Sequence, residues 1–204
     1  MPAPSPPPRL LRAAELAPSD ELATVVTFLR SHQPQDAQQE GVRAEMLAFA
    51  AAHPDALLRS CEDGHFTGSA LVVDADAERF VVLFHTKLQR WLQPGGHVDG
   101  DADLARSALR EATEETGIDG LRVAVPAVDL DIHEVRPPRE APHRHLDVRF
   151  VVVAPAGAEL VGNHESEALR WVRLDELDDL GVDEGLRRLA TRGLELARRL
   201  PDGA

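Results

Sequence analysis

The sequence predicts an α+β protein, a mixed β-sheet layered between helices, with a helical extension at its N-terminal end. Three observations carry that expectation. Short apolar runs of strand length lie on both sides of one helical segment at about 102–117, instead of alternating regularly with helices. Residues 19–53 hold apolar positions at helical spacing alone, and a last helical pattern at 183–199 closes before Pro201. Finally, 204 residues at 43% hydrophobic content supply enough apolar side chain for one compact domain with an extension, which argues against global disorder.

Residues 1–18 are expected to be a flexible tail, Pro-rich over Met1–Pro8, where regular structure is disfavoured. Residues 19–60 form the helical extension. Ser19 or Asp20 is placed to cap a helix whose stripe is Leu22, Val25, Val26 and Leu29, and Gln33-Pro34 breaks it. Asp36 is placed to cap a second helix with the stripe Val42, Met46, Leu47, Phe49 and Ala50, ending near His53-Pro54. Such a hairpin cannot bury both faces alone, so it packs on the rest of the chain or on a second copy. Residues 61–204 make the main domain. Apolar runs at 66–73 and 79–85 flank Asp74-Ala75-Asp76 as a hairpin. The central helix stops at Gly117, strands follow at about 120–134, 145–153 and 168–173, and helix 183–199 completes the pattern.

Charge and cysteine content narrow the function classes. With 35 Asp+Glu against 22 Lys+Arg the formal net charge is −13, which argues against a general grip on duplex nucleic acid. Cys61 is the single cysteine, so an intrachain disulfide and a cysteine-based zinc cluster are excluded. The first residues are Pro-rich rather than apolar, unlike a signal peptide, and no run of 18 apolar residues occurs. A cytoplasmic location without membrane attachment is the expectation.

The informative stretch is Trp91 to Ile118, WLQPGGHVDGDADLARSALREATEETGI. On a helix of about 100° per residue, with Glu111 at 0°, Glu114 falls at about −60° and Glu115 at about +40°. Leu104, Ala105, Ala108, Leu109 and Ala112 occupy about +20° to +160°, so the acidic arc overlaps the edge of the packing face. A solvated acidic face would lie opposite the apolar arc. Three carboxylates at a half-buried edge repel one another, and one arginine, Arg110, placed i,i+4 from Glu114, cannot balance them. A divalent ion would, and an all-oxygen set suits Mg²⁺ or Mn²⁺. Upstream, Pro94-Gly95-Gly96 supplies a loop without side chains, where backbone can approach closely.

These residues resemble the box of the Nudix hydrolases: a glycine, five residues, Glu, seven residues, then Arg-Glu-apolar-x-Glu-Glu-x-Gly-apolar. Gly96 opens it, and Arg110-Glu111-Ala112-Thr113-Glu114-Glu115-Thr116-Gly117-Ile118 matches the second half at every specified position. The departure is Ala102, which stands where the first Glu belongs, with Asp101 and Asp103 on either side as partial substitutes. The resemblance implies an α/β/α sandwich around a mixed sheet and hydrolysis of a diphosphate linkage in a nucleoside diphosphate derivative. It implies Glu111, Glu114 and Glu115 as metal ligands beside Gly96, one of them helping to deprotonate water, with Arg110 orienting a glutamate. Metal ions at such a site neutralise the charge that repels an anionic nucleophile. The candidate substrates are a nucleoside triphosphate, a nucleotide sugar, ADP-ribose or a dinucleotide. Homodimerisation is also in keeping with the family, with the N-terminal helices as a surface for it.

A second polar cluster is His143-Arg144-His145-Leu146-Asp147-Val148-Arg149. On a strand, His143, His145, Asp147 and Arg149 share one face while Leu146, Val148 and Phe150 take the other. The expectation is a substrate-facing wall for phosphate or ribose, with His-x-His as an alternative metal pair; a solvent-facing strand surface is the plain alternative. His97 is placed to reach a phosphate, His133 and Arg136 widen the patch, and Lys87 and Arg90 are candidate rim cations. Trp91 or Trp171 is placed to stack a base or to pack. By resemblance, Glu165 or Glu167 supplies a further acid before a late strand.

Two other functions compete. A catalytically silent nucleotide-binding or regulatory domain draws on Ala102 and is opposed by the complete Arg-Glu-Ala-Thr-Glu-Glu run. A prenyl-diphosphate isomerase is opposed by the lack of a second cysteine. Replacing Ala102 with Glu is expected to preserve or raise activity if the missing acid limits metal loading.

Overall fold

The computed structural model describes residues 7–136, 141–162 and 166–200. Its strands are β1 (Arg9–Leu11), β2 (Gly64–Val73), β3 (Phe80–His85), β4 (Arg90–Leu92), β5 (Gly95–His97), β6 (Arg122–Val135), β7 (His143–Val153) and β8 (Ser166–Val172). The helices are α1 (Leu22–Ser31), α2 (Ala37–Ala52), α3 (Leu104–Thr116), α4 (Leu177–Leu180) and α5 (Glu184–Ala197). The strands join one mixed sheet in the order β1-β6-β7-β2-β3-β4, with β5 also pairing β2 and β8 pairing β3. At its centre β2 and β7 run parallel, from Gly64↔Arg144 to Val73↔Val153, while β6 lies antiparallel to β7.

The two faces of the sheet build separate cores. Even-numbered residues of β2 and β7, among them Phe66, Ala70, Leu146 and Phe150, pack with α1, α2 and α3. Odd-numbered ones, Leu71, Val73 and Val151, pack with Leu186, Leu189, Ala190 and Leu194 of α5. This is the α/β/α sandwich expected, and the N-terminal helices belong to it: Val25, Leu29, Met46 and Phe49 are buried in the same cluster as α3.

The N-terminal tail ends earlier than expected. From residue 9 the chain is a strand, with Arg9↔Val125 to Leu11↔Val123 antiparallel, and Leu10 and Leu11 pack against the two opposite cores. Pairing with an open edge orders a segment whose composition alone would leave it loose. Asp36 caps α2 as expected, accepting from the Gln39 amide at 2.9 Å. Glu21 rather than Ser19 or Asp20 holds the N-cap position of α1, without a side-chain cap. The Ser19 hydroxyl still bonds at the start of the helix, accepting from the Glu21 amide at 3.3 Å and pairing with the Thr24 hydroxyl at 2.9 Å.

A register shift between Ala124 and Asp129 opens the β6–β7 ladder. Beyond the shift, where Leu130 is again in register with Val148, buried Gln39 satisfies the Leu130 backbone: its amide donates to the Leu130 carbonyl and its carbonyl accepts from the Leu130 amide, both at 2.9 Å. Gln35 donates likewise to the Val128 carbonyl at 3.0 Å.

Candidate active site

Helix α3 carries the acidic cluster. Asp103 caps it by accepting from the Arg106 amide at 3.1 Å, and Gly117 ends it in the left-handed region at φ 66°, which favours glycine. Ala105, Ala108, Leu109 and Ala112 are buried, and the glutamates line the border of that face. The order of burial follows the helical geometry: Glu115, nearest the apolar arc, is 6% exposed, while the side chains of Glu111 and Glu114 are 14% and 57% exposed.

The strand Gly95–His97 lies against these carboxylates. The Gly95 amide donates to Glu115 Oε2 at 2.9 Å. A Cβ on Gly96 would stand 2.6 Å from the Glu111 carboxyl carbon, so the bare backbone is what admits the side chain. Arg110 reaches Glu111 Oε1 at 2.6 Å and Glu114 Oε2 at 3.4 Å, and donates to the His97 carbonyl at 2.8 Å. One guanidinium thus ties two glutamates to the strand that faces them.

Ala102 has a different surrounding from the one the sequence suggested. It is 2% exposed, its amide donates to the Ser19 carbonyl at 2.5 Å, and it borders a cavity of about 490 Å³ with Leu16, Phe28, Val125, Pro126 and Phe150. The segment before α1 therefore straps this loop. Both flanking acids, expected as partial substitutes for the absent Glu, make structural bonds. Asp101 accepts from the Ser19 amide at 3.1 Å and pairs with Arg106 at 2.5 Å, while Asp103 is the helix cap, its carboxyl pushed up by burial.

On the α5 face of the sheet the odd-numbered residues form a polar file. Asp147 accepts from Thr67 at 3.0 Å and Ser69 at 2.8 Å. Arg149 donates to Asp147 at 2.7 Å, Asp131 at 3.0 Å, Asp129 at 3.4 Å and the Gly185 carbonyl at 3.2 Å. Its side chain is buried, so the expected substrate contact is replaced by a brace between sheet and α5. Arg188 and Arg192 of α5 also bond Asp129.

Further along the same file stand histidines. His65 of β2 lies in register with His145 of β7, and His145 with His133 of β6. His97 pairs across from Thr67. Burial, Arg59 and His65 push the His97 imidazole down to about 4, and burial with the surrounding histidines pushes His145 down to about 2. The sequence put His143 and His145 on one strand face and His97 separately as a phosphate contact, and the structure brings His97 to 5.3 Å from His145 between ring centroids. It missed His65, one residue ahead of the expected strand, whose odd position relative to Thr67 and Ser69 was the available signal.

Other candidates are dispersed. Lys87 is exposed in the turn after β3, and its amide donates to His85 Nδ1 at 3.2 Å. Glu167 is exposed on β8 and accepts from Gln89 at 2.9 Å. Glu165 lies outside the described residues. Trp91 packs edge-on to Phe84 at 5.3 Å with Arg170 over its ring, and Arg79 sits over Trp171. No helix among the described residues is long and apolar enough to cross a membrane.

Comparison with known proteins agrees with this geometry. The profile of the NUDIX domain family matches residues 64–192. CMP-5'-(N-acetyl-N-hydroxy-3-aminopropyl)phosphonate hydrolase of Streptomyces rubellomurinus is 32% identical over 152 residues, which cover 66% of this chain and 68% of that protein. The E. coli dihydroneopterin triphosphate pyrophosphohydrolase superposes with a TM-score of 0.53 at 17% identity, covering 64% of this chain and 94% of its own. A NUDIX family hydrolase from Clostridium perfringens gives 0.51 at 21% identity, covering 65% and 95%. These two likenesses establish the shared fold. The matched span takes in β2, the whole of α3 and most of α5, and the chain belongs to the NUDIX domain family, that of the Nudix hydrolases.

Proposed function

We propose that the chain is a cytoplasmic Mg²⁺- or Mn²⁺-dependent hydrolase that cleaves the diphosphate-type linkage of a nucleoside 5′-phosphoryl derivative. The observation that carries this reading is the placement of Glu111 and Glu115 against the side-chain-free strand Gly95–Gly96, with Arg110 tying Glu111 and Glu114. The donor set fits the ion: carboxylate oxygens are hard ligands, they stand at a border between core and solvent, and bare backbone leaves room beside them. Glu111, Glu114 and Glu115 would hold it, and it would neutralise charge on the phosphoryl oxygens.

This chain's own residues do the remaining work. Arg110 fixes the rotamer of Glu111, the Gly95 amide fixes Glu115, and one of the three glutamates accepts the proton of the attacking water. The histidine-lined sheet face next to His97 is the wall on which the substrate would lie. The Streptomyces relative, named as a hydrolase of a CMP-linked phosphonate, favours a nucleoside 5′-phosphate joined to a second phosphorus acid.

The test is turnover of nucleoside triphosphates, nucleotide sugars, ADP-ribose, dinucleotides and a CMP-linked phosphonate, each with Mg²⁺, Mn²⁺ or chelator. Metal-dependent turnover that falls at least about 100-fold in folded Glu115→Gln is the expected result. No turnover across the panel, with metal and nucleotide still bound, would favour the silent binding domain instead.

A further inference from the structure

We infer that His65, His143 and His145 form a second metal site, for a transition ion of the Zn²⁺ class, apart from the carboxylates of α3. One ligand nitrogen from each of the three rings lies within 4.8 Å of the others. The ring centroids stand 5.0 Å apart for His65–His143 and His65–His145, and 5.4 Å for His143–His145.

The orientation of His143 is that of a ligand. Its Nδ1 lies 2.9 Å from the Ala141 carbonyl, which can only accept, so Nδ1 carries the proton and the lone pair is on Nε2. That Nε2 is buried without a hydrogen-bond partner, in a residue 7% exposed, and His145 Nε2 is likewise buried and unpartnered. Buried polar atoms are nearly always bonded, and an ion would satisfy both at once. Around Zn²⁺ at about 2.0–2.1 Å, tetrahedral ligand nitrogens stand about 3.4 Å apart. With His143 held on the Ala141 carbonyl, adjustment of the His65 and His145 side chains would close the set to that spacing.

The chemistry separates the two sites. Imidazole selects Zn²⁺ and its transition-metal neighbours, whereas the carboxylates of α3 suit Mg²⁺ or Mn²⁺. Three protein nitrogens leave a fourth position open, flanked by His97, whose ring lies 4.9 Å from that of His65, and by His133, 5.5 Å from that of His145. The inference does not rest on the proposed substrate or turnover, and it is read from metal content alone.

The experiment uses the tag-free full chain, stripped with chelator and dialysed against Zn²⁺ in excess Mg²⁺. About one tightly held Zn²⁺ per chain is expected in the wild type and in Glu115→Gln, with affinity at least about 100-fold weaker in His143→Asn/His145→Asn. No Zn²⁺ retained by the wild type, equal retention by the double variant, or loss in Glu115→Gln would overturn the assignment. Should the double variant fail to fold, Co²⁺ loaded on the wild type decides. Intense four-coordinate ligand-field bands without thiolate charge transfer are expected. A weak six-coordinate spectrum, or a thiolate band placing the ion at Cys61 with His53 and Asp55, would overturn it.

Discussion

Gly96 and Glu111 are fitted so closely that a methyl group at position 96 would lie 2.6 Å from the Glu111 carboxyl carbon. The obstructed group is the end of a flexible side chain, so the protein can relieve the clash by swinging Glu111 away. Gly96→Ala is therefore expected to spare the fold and harm the reaction: a thermal midpoint lowered by a few degrees, but kcat lowered at least about 100-fold through displacement of a carboxylate proposed to hold the metal. Steady-state kinetics beside a melting curve checks this. Unchanged kcat would mean that the observed position of Glu111 is dispensable.

Ala102→Glu reverses the expectation that sequence alone suggests. Ala102 is buried, its amide is bound to Ser19, and the space beyond its side chain is lined mainly by apolar groups such as Phe28, Val125 and Phe150. A carboxylate placed there loses hydration, at a cost of at least about 2 kcal/mol, and pushes on the N-terminal strap. Urea unfolding is expected to show that loss without any gain in turnover. Wild-type stability combined with faster hydrolysis would mean that the loop is only missing its acid.

Much of this was legible in the sequence, for identifiable reasons. The stripes of α1 and α2, the apolar run of β2 and the alternation of β7 are repeating patterns, and they located those elements within a few residues. Strand β1 follows a Pro-rich run and β5 is Gly-Gly-His, so neither carries a side-chain pattern; both exist because a partner strand offers them backbone bonds. Alternation placed Arg149 on the face of His143 and His145 but could not say that α5 covers that part of it. The partners Asp129 and Asp131 come from beyond a register shift in β6, which period-2 reasoning does not anticipate.

His32 gives the extension a pH dependence. Burial, and secondarily Arg43, hold its imidazole below the ordinary 6.5, with Asp129 acting in the other direction. The folded chain keeps the ring neutral while the unfolded chain protonates it below about 6.5, so the unfolded state binds more protons there. Stability is then highest above that pH and declines as pH falls through the window beneath it. The half-buried His145 and His97 act in the same direction, so the informative quantity is the difference between proteins. His32→Gln is expected to flatten the decline of unfolding free energy between pH 7.5 and 5.5. Parallel profiles for the two proteins would remove His32 from the account.

Asp129 is the point where the sheet, α5 and the extension meet. It is fully buried and accepts from Arg149, Arg188 and Arg192, the last of which also pairs with Asp36 at the cap of α2 at 2.5 Å. Asp131 shares Arg149 and Arg188; burial opposes its charge, but His133, Arg149 and Arg188 hold its carboxyl well below the usual range, so mild acid leaves Asp131 charged. Removing one partner of a buried charge cluster leaves the others without compensation, which costs about 3–5 kcal/mol. Asp129→Ala is expected to lose that much in urea unfolding. Because Arg149 is the most buried of the three cations, Asp129→Leu/Arg149→Met should recover part of the loss, an outcome that simple addition of two damaging changes does not give. A double variant weaker than either single change would instead mean that Arg149 acts mainly through Asp147 and the Gly185 carbonyl, holding α5 to the sheet without help from Asp129.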